Sequence, residues 1–119
     1  MKERQDLRER TKRFALEIIK MYSSLPKTTE AQILGKQVLR SGTSVGAQYR
    51  EGIRARSNAE FVSKIEGALQ ELEETGYWLE LLMESKIVSK ENLSGLFSET
   101  GELTAILTTC SKNVKERKG

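Results

Sequence analysis

The sequence predicts an all-α fold, an antiparallel up-down four-helix bundle, on three observations. Apolar residues recur at steps of three and four through most of the chain, the spacing of one helix face rather than the alternation of a strand. A single proline in 119 residues and a hydrophobic share of 37% fit a helical domain better than a strand domain, which uses more turn residues. Three short breaks divide the pattern into segments at about 3–23, 28–54, 58–85 and 90–115, and short connections between long helices make sequential neighbours antiparallel. At this length the chain can build one core and not two, so 1–119 is read as a single domain.

In the first segment Leu7, Phe14, Ile18, Met21, Tyr22 and Leu25 form the apolar stripe, with most of the Lys and Arg between them. The stripe stops at Ser23-Ser24-Leu25-Pro26, because proline disfavours helix in the residue before it. Thr29 followed by Gln32 is a capping-box start for the second segment. The third begins at Ser57, whose hydroxyl is expected to accept from the Glu60 amide while the Glu60 carboxylate reaches back to the Ser57 amide. From there Phe61, Ile65, Ala68, Leu72, Thr75, Leu79 and Leu82 alternate steps of four and three, which is a bundle seam. The fourth segment starts near Ser89, with Val88 and Leu93 placed as a hydrophobic staple, and runs through Leu96, Leu103, Ile106, Leu107, Cys110 and Val114. Residues 115–119 are expected to fray.

The end of the second segment, "RSGTSVGAQYREGIRARS" at 40–57, carries Gly42, Gly46 and Gly52 among small polar residues and ends in arginines. A phosphate-cradling loop is one reading. However, Leu34, Val38, Ser41, Val45, Gln48 and Gly52 keep the four-three rhythm of an unbroken helix. A Walker loop also needs Lys and then Ser or Thr after its last glycine, where Gly46 is followed by Ala47 and Gln48. Three glycines inside a helix cost about 3 kcal/mol against alanine, so something must offset them. Close packing does so: Gly42 and Gly46, one turn apart, leave a groove into which a neighbouring helix sinks, and Ser41 and Gly52 are read as helix-packing positions as well.

Charge is unevenly divided. Residues 57–85 hold one lysine against seven glutamates, while 1–26, 27–56 and 86–119 are each net basic. This places an acidic helix between basic ones and leaves a basic face for a partner. No apolar run approaches the ~18 residues of a membrane span, and the first twenty residues are charged throughout, so a cytoplasmic protein is expected. Cys110 is the single cysteine and there is no histidine, which removes an internal disulfide, the Glu-x-x-His pairs of di-iron bundles and an imidazole partner for a thiol nucleophile. Cys110 falls on the apolar stripe and reads as a core thiol. Glu71, Glu73 and Glu74 could supply acid–base chemistry, but three carboxylates in four helical positions point to different sides, and a solvated or ion-paired face is preferred. No cofactor or metal is expected.

The stretch "LPKTTEAQILGKQVLRSGTSVGAQYREGIRARSNAEFVSKIEGALQELEETGYWLELL" resembles the central region of the 23S rRNA intervening-sequence proteins. The likeness is densest from Leu25 to Leu82. It rests on Ser41 to Ala47 with Glu51 and Gly52, the Arg-x-Arg-Ser turn at Arg54 to Ser57, Glu60-Phe61, and "LQELEET" with Trp78; the family more often has Asn where this chain has Gln48. The resemblance implies an up-down bundle assembled as a homopentamer without enzymatic activity. Related pentamers include the accessory protein of diversity-generating retroelements, whose basic surface binds nucleic acid and a reverse transcriptase. Genes of the family lie inside insertions in bacterial ribosomal RNA genes, which associates it with RNA.

Two roles stay open for the basic residues. Arg50, Arg54 and Arg56 can pair with the acidic third helix, in the same chain or a neighbouring one, leaving a scaffold that binds its own copies and a protein partner. Alternatively they join Arg8, Arg10, Lys12 and Arg13 in a surface that contacts the phosphates of RNA or DNA. Tyr49 and Tyr77 are the aromatics available to stack on bases, so backbone-directed binding is expected rather than sequence reading.

Overall fold

The structure, a computed structural model, describes residues 2–117, with side chains from Asp6 to Glu116. The described residues form four helices joined by short turns: α1 (Lys2–Ser23), α2 (Thr29–Ile53), α3 (Asn58–Glu84) and α4 (Lys90–Arg117). The glycine-bearing stretch from Arg40 is thus helix up to Ile53. The α4 helix continues through Lys115 to Arg117, past the expected fraying point, and Lys118 and Gly119 lie outside the described residues.

Local chemistry sets the starts, with two corrections. The cap of α2 is Thr28, whose hydroxyl accepts from the Ala31 amide, not Thr29; the Gln32 side chain donates to the Pro26 carbonyl instead of closing a capping box. At α3, Ser57 accepts from the Glu60 amide as expected, but the Glu60 carboxylate accepts from the Arg56 amide, one residue upstream of the expected partner. Both differences are one-residue shifts, within which local side-chain geometry and not periodicity selects the partner. Ser89 caps α4 by accepting from the Asn92 amide, and Val88 and Leu93 both join the core. The α3 helix ends with Lys86 at φ 65°, while the Ile87 and Val88 amides return to the Leu82 carbonyl. Lysine here occupies the left-handed position that helix ends usually give to glycine.

Each helix packs on its sequence neighbour, α1 on α2, α2 on α3 and α3 on α4, whereas α1 and α4 meet only lightly. Between α1 and α2, a Cβ built on Gly35, Gly42 or Gly46 meets Leu25, Ile18 or Thr11 respectively. Likewise Ser41 bonds Thr75, and Lys64 pairs with Glu51. The molecule is a rod of 50 × 22 × 20 Å. Large apolar residues buried along its length include Phe14, Ile18, Val38, Val45, Tyr49, Ile65, Leu72, Leu79, Leu82, Leu93, Leu103 and Leu107.

The glycines are packing positions. Gly42 and Gly46 sit against α1, where an added Cβ would lie 2.8 Å from Ile18 Cγ1 and 3.1 Å from Thr11 Oγ1. Gly52 instead faces α3, with Lys64 Cβ at 3.3 Å. Gly35, seven residues before Gly42, belongs to the same row against α1, although it carries no signal in the apolar pattern. Ser41 packs on α3: its hydroxyl lies 2.8 Å from that of Thr75, and the two hydroxyls also reach the Val38 and Glu71 carbonyls of their own helices.

Candidate nucleic-acid interface

The opposition of Thr11 and Gly46 sets the height of the basic residues. Arg8 lies one turn before Thr11, and Arg50 one turn after Gly46, so both stand at the same level where α1 meets α2. Arg54 caps the C-terminus of α2 and Arg56 lies in the following turn, at that same end of the rod. Among the described residues none of these four arginines forms an ion pair. The carboxylates of α3 hold other cations. Arg40 reaches Glu74 at 2.9 Å and Glu71 at 3.9 Å, and Lys115 reaches Glu66 at 2.6 Å. The only lysine of α3, Lys64, goes to Glu51 of α2 at 2.8 Å.

The other candidates lie elsewhere. Arg10 is 2.6 Å and 2.9 Å from the two oxygens of Glu99 and 2.5 Å from Glu102, a bidentate tie between α1 and α4. Those hydrogen bonds hold its guanidinium even more firmly protonated than usual. Arg13 lines the open groove between α1 and α4, and exposed Lys12 stands 3.9 Å from Glu9. Tyr49 is 1% exposed, so its ring is core and not a stacking platform. Its position on the helix side shared with Val38, Val45 and Gly52 was the available signal. Tyr77 is 54% exposed but lies on α3 beyond Thr75, away from the basic end, 5.1 Å from the Trp78 ring.

The acidic candidates do not form a reacting group. Glu73 is exposed and Glu74 is held by Arg40, while one buried oxygen of Glu71 accepts no hydrogen bond. Burial raises the Glu71 carboxyl above its ordinary range, opposed by Arg40 and assisted by Glu74. The folded state therefore binds this proton more tightly than the unfolded state. The associated stability is full below the ordinary carboxylate range and is lost as pH rises through the raised value. Glu71→Gln should accordingly gain more stability at pH 7 than at pH 4, as read from urea midpoints. An equal gain at both pH values would show that the raised ionisation plays no part. Cys110 is half-buried against the core, and no cluster of His, Cys, Asp and Glu able to hold a metal ion occurs among the described residues. No helix of the described residues is long and apolar enough to cross a membrane.

Fold and site together define an all-α, four-helix protein with a basic end where α1 meets the α2–α3 turn. The chain belongs to the 23S rRNA-intervening sequence protein family, whose model matches residues 3–109. It is similar to a crystal structure of a protein with unknown function from the S23 ribosomal protein family of Bacteroides thetaiotaomicron VPI-5482. The identity is 35% and the TM-score 0.84, over 89% of this chain and 98% of that one. No curated protein matches the chain.

Proposed function

We propose that this chain is a non-enzymatic, antiparallel up-down bundle that assembles with copies of itself, as a homopentamer by its family likeness, and binds the phosphate backbone of RNA or DNA. The observation that carries this reading is the set Arg8, Arg50, Arg54 and Arg56 at one end of the rod, without ion pairs among the described residues, while α3's Glu66, Glu71 and Glu74 hold other cations. Exposed Lys12, one turn along α1 from Arg8 and paired at 3.9 Å with Glu9, borders this surface. Arg10 and Arg13 are left out, one held by two glutamates and the other on the rim of the α1–α4 groove. With no exposed aromatic side chain at this end among the described residues, binding is directed at the backbone, and affinity follows counterion release.

The test is a titration of structured RNA and of duplex DNA at two salt concentrations, with the wild type and with a variant carrying Gln at 8, 50, 54 and 56. Binding by the wild type should weaken steeply with salt. In the variant the log–log slope should flatten by about 0.7 to 0.9 for every phosphate no longer neutralised, with unchanged helix content. A wild type that binds neither nucleic acid near physiological ionic strength overturns the reading, and the protein is then a scaffold directed at protein partners.

A further inference from the structure

The light contact between α1 and α4 leaves a groove of about 940 Å³. Phe14, Met21, Val88 and Leu96 form its apolar floor, and Arg13, Leu16 and Lys20 run along its α1 rim at steps of three and four. Leu16 is 53% exposed, and neither Arg13 nor Lys20 has an ion pair among the described residues. Glu17 is a third, opposite charge on the rim, and Arg10 is already neutralised by Glu99 and Glu102, so the rim is net positive.

The complement stands on the same molecule. Glu73, Tyr77, Glu80 and Glu84 follow at steps of four, three and four, so they form one stripe along α3. All four are exposed, and none of the three carboxylates has an ion pair among the described residues. Arg13 and Lys20 are seven residues apart, as are Glu73 and Glu80, so each pair of charges spans roughly 10 Å of helix with one apolar side chain between.

We propose that the α3 stripe of one copy docks on the α1 rim of the next, Glu73 to Arg13, Tyr77 beside Leu16 and Glu80 to Lys20. This names the surfaces behind the oligomeric half of the proposed function and rests on that half alone. Two features of the fold suit a closed ring. The contacts Ile18–Gly42 and Ser41–Thr75 put residue 18 of α1 near the height of residue 75 of α3, and α1 and α3 run the same way. The facing charges therefore lie within about one helical turn of each other in height, and docking needs little rise along the axis, the condition for closure instead of a filament. The rod is also nearly square in section. Glu73 borders the α3–α4 side and Arg13 the α1–α4 side, so the two surfaces meet at about a right angle, as subunits in a small ring require.

Light scattering on four proteins without nucleic acid tests this. The wild type should be an oligomer. Arg13→Glu with Lys20→Glu, and separately Glu73→Lys with Glu80→Lys, should each fall to monomer or weaken assembly at least about 100-fold, with helix content intact. The protein carrying all four reversals should reassemble, because every facing pair is again of opposite sign. Two-residue variants that keep the wild-type mass would overturn the docking and leave the oligomer standing. So would a four-residue variant that folds but stays monomeric. A wild type that is monomeric at tens of micromolar would overturn both, without touching nucleic-acid binding, which is read in a separate titration.

Discussion

Gly46→Leu is expected to lower the melting temperature by roughly 5 to 15 °C, corresponding to about 1 to 3 kcal/mol of overpacking. Helix propensity alone predicts the opposite sign, since glycine in a helix interior is worse than leucine. The sign is decided by what lies opposite. At Gly46 a Cβ would come within 3.1 Å of Thr11 Oγ1, 3.3 Å of Thr11 Cβ and 3.6 Å of the Thr11 backbone carbon. Backbone cannot swing aside as the end of a long side chain can, so the rest of a leucine must push α1 away from α2. Gly101 is the matched control, with nothing within 4 Å of its Cβ position and an exposed place on α4. Gly101→Ala should gain about 0.8 to 1 kcal/mol through propensity. Thermal melts of the two variants should move in opposite directions, and a higher melting temperature for Gly46→Leu would mean that α1 does not rest on this row.

Leu72→Ala should be costlier still, at about 2 to 5 kcal/mol. Leu72 is 0% exposed, at the middle of α3, the helix that packs on both α2 and α4. Truncation there removes transfer free energy and leaves a cavity inside the core cluster that also holds Ile65, Ala68 and Leu79. Against a total stability of about 5 to 15 kcal/mol this is a large fraction. Leu69→Ala, three residues away on a half-buried position beside the shallow α3–α4 depression, should cost distinctly less. Urea midpoints at equal protein concentration give the comparison. Equal destabilisation at the two sites would contradict the assignment of Leu72 to the core and Leu69 to its margin.

Much of the architecture is legible in the linear pattern because it depends on neighbours three and four residues apart. Ile65, Ala68, Leu72, Thr75, Leu79 and Leu82 are buried as their spacing requires, and the caps at Ser57 and Ser89 hold amides of the first turn. In the second helix the buried stripe is turned slightly from the one the spacing predicts. Leu34 and Gln48 fall on the predicted stripe and are half-buried, while Gly35 and Tyr49 are buried. Glycine and small residues are silent in a hydrophobic pattern, so a face built from Gly35, Gly42 and Gly46 is recognised in full only when the opposing helix is present.

The chain by itself determined four helices, their approximate limits, the close approach at Gly42 and Gly46, and membership of a family by the run from Leu25 to Leu82. Only the tertiary structure decided which helix sinks onto the glycines and which cations the acidic helix holds. Arg40 and Lys115 form the ion pairs with α3 for which Arg50, Arg54 and Arg56 stood as candidates. The physical reason is range. Helical phase and capping are set within one or two turns of sequence, whereas Arg10 meets Glu99 across 89 residues and Lys115 meets Glu66 across 49. Such pairs are chosen by the rotation and height at which packed helices come to rest, which the pattern along one helix does not contain.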